Sequence, residues 1–293
     1  NNNNNNNINV NSFETLSPPL SEGILTALRT HYKFTSMTPV QAAVLPLFLK
    51  NRDPFVRAAT GSGKTLAFAI PMIEMILRRT TLLKKHQIGG LIVSPTRELA
   101  RQTHSTLELL CQYASLSEPL LLVGGGSGHR PVHQDLSTFR SLGSDIIVGT
   151  PGRMEDVLLR YGSDSSSSSY CTTSTSSSSS TSLLDVSELE CLVLDEADVL
   201  LDMGFEVCLT NLLSKLPKMR RTGLFSATRP DGLGRTTSDA MKRLMGRAGL
   251  RNPVMVDVAI AVNHPVDNNN THNNNVDDDH NVDTNNDSTL QNN

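Results

Sequence analysis

The sequence predicts an α/β fold in which a mostly parallel sheet carries helices on both faces. Short and almost wholly apolar runs alternate along the interior of the chain with longer amphipathic stretches. Uniformly apolar strands are typical of parallel sheets that are buried on both faces, and strand–helix alternation is typical of doubly wound layers. The length of 293 residues suits one large domain or two small ones.

Six segments have the composition of buried strands and five have that of helices. The predicted strands are 55–58, 91–94, 120–123, 145–148, 192–195 and 223–226, and the predicted helices are 39–49, 63–79, 97–113, 153–160 and 206–213. The first helix has a clear start, because Thr38 can serve as N-cap and Pro39 suits the first helical position.

Three segments of low complexity interrupt or flank this pattern. Residues 1–11 and 263–293 hold 21 of the 24 asparagines, and we expect both ends to be disordered because they bury too little apolar surface. Residues 163–182 include thirteen Ser and four Thr. They predict a flexible surface insert, with a phosphorylated regulatory tract as the alternative. The ordered domain is therefore predicted over 12–262.

Charge and composition exclude several classes of protein. The six Asp of the tail offset a charge of +3 on residues 12–263, which gives the formal net charge of −3. No apolar run approaches the ~20 residues of a membrane-spanning helix, and the N-terminus lacks the features of a signal peptide. The four cysteines have no zinc or disulfide spacing and suit a reducing compartment. The chain begins with Asn rather than Met, so we expect either a fragment of a longer protein or a chain that has been trimmed.

The strongest local motif is Ala-Ala-Thr-Gly-Ser-Gly-Lys-Thr at 58–65, between a predicted strand and a predicted helix. Glycines permit a loop whose N–H groups point at phosphates, and the helix N-terminus favours anions. Lys64 can reach β- and γ-phosphates, and the Thr65 hydroxyl can bind Mg²⁺. The predicted nucleotide-binding residues of the loop are Ala59, Thr60, Gly61, Ser62, Gly63, Lys64 and Thr65. A fortuitous Gly/Ser loop is the alternative, since Ala58 replaces the usual first glycine.

A second motif, Asp195-Glu196-Ala197-Asp198, ends an apolar run. Carboxylates at the carboxyl end of a parallel strand lie where ligands bind in open α/β sheets. Asp195 would hold Mg²⁺ through water, and Glu196 would orient and deprotonate the attacking water. We therefore predict Lys64, Asp195 and Glu196 as catalytic residues. An acidic surface turn is the alternative.

These motifs resemble those of the DEAD-box RNA helicases, and the resemblance extends over nearly all of 13–258. It implies a RecA-like P-loop domain that binds ATP and Mg²⁺ and acts on RNA. Residues 32–41 resemble the adenine-reading motif, in which Gln41 would bond the adenine edge. Phe34 would stack on its face, worth roughly 1–3 kcal/mol, unless it is an ordinary core aromatic. Lys33 stands where the family usually has glycine.

Three further motifs resemble RNA contacts of the family, and each follows a predicted strand. The residues are Pro95, Thr96 and Arg97, then Gly124 and Gly125, then Thr150, Pro151, Gly152 and Arg153. Such contacts go to phosphates and sugars and do not read sequence. Taken singly, each motif could be only a helix cap or a turn. The resemblance also implies that Ser226 and Thr228, with Asp198 as partner, couple the ATP state to RNA unwinding.

Segments 201–206, 220–223 and 247–254 resemble the DEAD-box subfamily that assists assembly of the large ribosomal subunit. This resemblance implies pre-ribosomal RNA as the partner and the nucleolus as the location. Without the subfamily resemblance, the expected location is the cytoplasm. No His-Arg-x-Gly-Arg motif of a second helicase domain occurs. We therefore expect the amino-terminal half of a helicase, nearly inactive without the second domain, which the family normally carries in the same chain. The alternatives are a truncated nucleotide- and RNA-binding module and a non-helicase P-loop NTPase.

Overall fold

The computed structural model describes residues 11–125, 131–160, 184–228 and 235–258. Within them, seven parallel strands form one sheet, which confirms the predicted fold class. The strands are β1 (Pro54–Ala58), β2 (Gly90–Val93), β3 (Leu120–Leu122), β4 (Ile146–Gly149), β5 (Cys191–Leu194), β6 (Arg221–Ser226) and β7 (Val254–Val258). Their order across the sheet is β3-β4-β2-β5-β6-β1-β7.

The described residues also form nine α-helices, of which two precede β1 and the others lie between successive strands. They are α1 (Glu22–Thr26), α2 (Pro39–Leu49), α3 (Lys64–Leu77), α4 (Arg97–Ala114), α5 (Val132–Leu142), α6 (Pro151–Glu155), α7 (Ala197–Asp202), α8 (Glu206–Lys215) and α9 (Arg235–Arg247). A 3₁₀ turn covers Phe13–Thr15, and π-type turns extend α1 over Ala27–His31 and α6 over Asp156–Arg160.

The sheet separates two hydrophobic cores, so helices cover both of its faces. Side chains of α1 to α4 pack on one face, and those of α5 to α9 pack on the other. Neighbouring strand residues alternate between the cores: Val193 joins the first, and Leu192 and Leu194 join the second. This alternation with apolar residues on both sides explains why the strands are uniformly apolar.

All six predicted strands are present with bounds shifted by a residue or two, and the structure adds β7. As an edge strand beside β1, β7 is only partly buried, with Met255 57% exposed. It therefore lacks the uniformly apolar pattern. Helices α1, α5, α7 and α9 were also not predicted. Asn11 lies in a described turn, where its carbonyl accepts from the Met37 N–H at 2.7 Å. The rest of the Asn-rich ends and the Ser/Thr-rich insert lie outside the described residues.

The register of the strands brings their carboxyl ends to one level. Val93 is paired with Leu194, which is paired in turn with Leu224. Because every strand is parallel, each segment that follows a strand emerges at this edge. The motifs after β1, β2, β3, β4, β5 and β6 therefore gather along the carboxyl edge of the sheet.

Candidate functional site

The loop between β1 and α3 has backbone conformations that require glycine. Gly61 and Gly63 have φ of +78° and +96°. A Cβ on Gly63 would lie 2.7 Å from Gln41 Nε2 and 3.0 Å from Thr38 Oγ1. The Ser62 hydroxyl donates to the Ala59 carbonyl at 2.7 Å, which tightens the turn. The loop then opens α3 at Lys64, with Thr65 half-buried in the first helical turn. Loop and helix start together form a cradle that suits phosphate oxygens.

Lys64 and Asp195 are two buried charges beside this loop, 8% and 3% exposed. The Lys64 Nζ donates to the Ala58 carbonyl at 2.8 Å. Burial raises the pKa of the Asp195 carboxyl to about 6, against the opposing effect of the Lys64 ammonium. A buried carboxylate with so little compensating charge is suited to a cation. The residues at this loop therefore fit a nucleotide phosphate chain with Mg²⁺.

Glu196 occupies a strained backbone position directly after Asp195. Its φ of +47° is left-handed, and it caps the start of α7. Its N–H donates to Asp195 Oδ1 at 3.0 Å, which fixes the orientation of that carboxylate. Non-glycine residues in this region cost of order 1–3 kcal/mol and cluster at functional sites.

The predicted adenine-reading glutamine is buried and holds two parts of the site together. Gln41 is 2% exposed. Its Oε1 accepts from the Thr38 N–H at 2.9 Å, which completes a capping box at the start of α2. Its Nε2 donates to the Gly63 carbonyl at 3.2 Å. One N–H and one lone pair of the amide are thus used within the protein. The second N–H and the second lone pair are the donor and the acceptor that an adenine edge would need.

Phe34 is not a core aromatic, because 44% of its surface is accessible. Its ring stacks on Tyr32 at 5.5 Å between centroids, and its N–H donates to the Leu28 carbonyl at 2.9 Å. A cavity of about 440 Å³ beside it is lined in part by Phe13 and Leu28. The turn is kept although Lys33 replaces the family's glycine, because Lys33 adopts a φ of +54°.

Replacing Lys33 with glycine is expected to raise the free energy of unfolding by about 0.5–1 kcal/mol. The left-handed conformation costs a non-glycine residue ~1–2 kcal/mol. Glycine removes this cost, but its greater conformational entropy in the unfolded chain offsets part of the gain in stability. Urea unfolding measures the change. Lys50→Gly is the matched control, because Lys50 has a φ of −92° and glycine should destabilise there. Equal losses in both variants would show that Lys33 is not strained.

Five of the nine predicted RNA-contact residues line one cavity of about 610 Å³: Gly124, Gly125, Thr150, Gly152 and Arg153. Pro95, Thr96, Arg97 and Pro151 are not among the residues that line it. At the start of α4, Arg97 Nη1 donates to the Gly125 carbonyl at 2.7 Å. The Thr96 hydroxyl accepts from the Leu99 N–H at 3.2 Å and caps α4. His133 and Phe205 also line the cavity, and sequence reasoning did not single them out.

Arg153 differs from the other residues of this group because its side chain is buried. The guanidinium is 3% exposed and bonds Asp135 Oδ2 through Nε at 2.9 Å and Nη2 at 2.8 Å. Asp135 itself is 4% exposed. The RNA contact of Arg153 stays a prediction, and it would require this ion pair to open.

The structure brings together the residues predicted to couple ATP and RNA. Asp198 Oδ2 accepts from the Ala227 and Thr228 N–H groups, both at 3.1 Å, and from the Thr228 hydroxyl at 2.9 Å. The Ser226 hydroxyl donates to the Thr228 carbonyl at 2.9 Å. One buried carboxylate thus ties the start of α7 to the end of β6.

Comparisons with known proteins agree with this arrangement. Residues 38–236 match the family model of the DEAD/DEAH box helicase. The ATP-dependent RNA helicase DDX55 of Homo sapiens is 44% identical over 247 residues, which cover 84% of this chain and 36% of that protein. The DEAD-box ATP-dependent RNA helicase 18 of Arabidopsis thaliana is 42% identical over 248 residues, which again cover 84% of this chain and 36% of that protein.

A solved DEAD box protein from the hyperthermophile Methanococcus jannaschii superposes with a TM-score of 0.62 at 29% identity, covering 84% of this chain and 56% of that one. The chain spans about a third of the length of the curated relatives, 36% for the first ones. Across the described residues, no helix has the length and apolar character needed to cross a membrane.

Proposed function

Because the chain belongs to the DEAD/DEAH box helicase family, we propose that it is the ATP-binding half of an ATP-dependent RNA helicase. The observation that carries this proposal is the meeting of two sites on the carboxyl edge of the sheet. The phosphate loop with Lys64 and Asp195 lies after β1 and β5, and the 610 Å³ cavity lies after β3 and β4. One rigid sheet would therefore position both ATP and RNA.

Each charged residue of the nucleotide side has a distinct role in this proposal. Lys64 binds the β- and γ-phosphates, and Thr65 with Asp195 holds Mg²⁺, which neutralises phosphate charge when bound. Glu196 accepts the proton of the attacking water. Its backbone contact with Asp195 keeps the base beside the metal ligand.

On the RNA side, Arg97, the glycine pair and the Thr150 segment hold the sugar–phosphate backbone. We propose pre-ribosomal RNA as the substrate class and the nucleolus as the place of action, on the resemblance to the ribosome-assembly subfamily. Asp198 would report the nucleotide state to Ser226 and Thr228. A second helicase domain would close over ATP and RNA and supply the arginine that approaches the γ-phosphate.

This function is tested with the 293-residue chain alone and with the chain joined to the second domain of a relative. We expect the chain alone to bind Mg–ATP but to show near-background turnover, since an arginine finger contributes ~10³–10⁵ in rate. The joined protein should hydrolyse ATP in response to RNA and unwind a duplex. Turnover that RNA does not stimulate in either form would refute the helicase assignment. RNA-stimulated turnover by the chain alone would refute the need for a second domain.

Replacing Gln41 with alanine is expected to weaken the binding of both ATP and GTP, because the Thr38 N–H and the Gly63 carbonyl lose their hydrogen-bond partners. The loss should be greater for ATP, so that the ATP-to-GTP affinity ratio falls towards one. Nucleotide titrations measure both affinities. Gln102→Ala, an exposed glutamine on α4, is the control. An unchanged ratio would mean that Gln41 supports the loop without reading the base.

A further inference from the structure

A strongly basic surface lies on the amino edge of the sheet, opposite the candidate site. It is formed around the connections that enter β6, β1 and β7, which are neighbours in the sheet. Six exposed cations make up this basic edge surface: Lys50, Arg52, Lys215, Lys218, Arg221 and Arg251. None of them forms an ion pair with a described acidic residue.

The strand register places these cations side by side. Arg221 begins β6, and the pairing of Phe55 with Leu224 sets Arg52 beside it. The pairing of Pro54 with Val254 brings the connection that carries Arg251 to the other side of Arg52. Because neighbouring strands lie about 4.8 Å apart, the three connections form one continuous surface.

Little negative charge lies close enough to neutralise this surface. Asp53 is the one acid in segments 50–53, 216–221 and 248–253, and its Oδ1 accepts from the Thr222 N–H at 2.9 Å. Glu190, the residue before β5, is paired with Arg79. The surface therefore keeps its positive potential.

Helix capping accounts for only part of the charge. Lys50 caps the end of α2 and Lys215 lies in the last turn of α8, where cations interact favourably with the helix dipole. Arg52, Lys218, Arg221 and Arg251 lie outside the helices. Three of these four are arginines, whose planar guanidinium groups suit bidentate contacts with phosphate.

We propose that the basic edge surface is a second binding surface for the RNA backbone, separate from the cavity on the carboxyl edge. RNA as the ligand rests on the proposed function, and the surface itself rests on the charges. A long RNA held at the carboxyl edge would also be bound here through its phosphates, without sequence readout. Two linked surfaces would raise the affinity for long RNA more than either contact alone.

The test measures the affinity of the chain for a 40-nucleotide polyuridine at several salt concentrations. The triple variant Arg52→Ala, Arg221→Ala, Arg251→Ala should bind about tenfold or more weakly. Its slope of log affinity against log salt should fall by about 2, at ~0.7 for each lost phosphate contact. The control is Lys85→Ala, Arg140→Ala, Lys242→Ala, which removes the same charge from exposed positions outside the basic edge surface.

Equal affinities of the two triple variants, or an unchanged salt slope, would overturn the second surface. Thermal unfolding checks that both variants fold. Arg97→Ala, measured in parallel, tests the carboxyl-edge site. If Arg97→Ala weakens RNA binding and the basic edge variant does not, this inference fails while the proposed function stands. If Arg97→Ala has no effect, it is the carboxyl-edge RNA assignment that fails.

Discussion

Glu196→Gln is expected to lower RNA-stimulated ATP turnover about 10²–10⁴-fold in the chain joined to a second helicase domain. The amide keeps the size of the side chain but cannot accept the proton of the attacking water. The affinity for Mg–ATP should change less than about threefold, since the Lys64 ammonium and the Asp195 carboxylate are untouched. A fall in turnover at unchanged nucleotide affinity locates the loss in the transition state.

Glu108→Gln is the matched control, because that glutamate is 55% exposed on α4 and away from the site.

A second variant of Glu196 distinguishes the role of its carboxylate as the base from the effect of its strained backbone. Glu196→Gly also removes the carboxylate, but it relieves the φ of +47° and should raise the free energy of unfolding by about 1 kcal/mol. Unchanged turnover in Glu196→Gln would exclude Glu196 as the base. Equal stability of the Gly and Gln variants would show that the backbone is not strained.

The fold could be predicted because two-sided burial leaves a clear signal in sequence. Strands such as β5 have Val193 in one core and Leu194 in the other, so nearly every position must be apolar. The edge strand β7 is only partly buried, so its sequence contains no uniformly apolar run. Helix α5 is amphipathic with little apolar content, and only its packing against the second core explains it.

The residues of the candidate site could be predicted as motifs, but their contacts could not. A capping box has the pattern Thr-x-x-Gln, so the bond between Gln41 Oε1 and the Thr38 N–H was readable from the sequence. The bond from Gln41 Nε2 to Gly63 was not, because it joins positions 22 residues apart. In the same way, no local pattern marks Asp135 as the partner of Arg153, which only the packing of α5 against α6 brings together.

This buried ion pair predicts the largest change in stability. Arg153→Met is expected to lower the free energy of unfolding by about 3–5 kcal/mol, because it leaves the Asp135 carboxylate buried without its cation. Arg153→Met with Asp135→Leu should cost much less than the two single changes together, since no charge is then left alone. Urea unfolding of the four proteins of this cycle measures the coupling. Additive losses would mean that the two side chains do not interact.

The double variant also decides whether Arg153 contacts RNA. The double variant should keep the fold while it removes both the guanidinium and the Asp135 carboxylate. A change in RNA binding then cannot be attributed to a carboxylate that has lost its partner. If Arg153 leaves its partner to bind a phosphate, the slope of log RNA affinity against log salt should fall by ~0.7. If the pair only holds α5 against α6, the slope should equal that of the unaltered chain. Since both charges lie almost wholly out of solvent, we expect the second result: the glycine pair and Arg97 would then hold the RNA, with Arg153 setting the shape of the cavity.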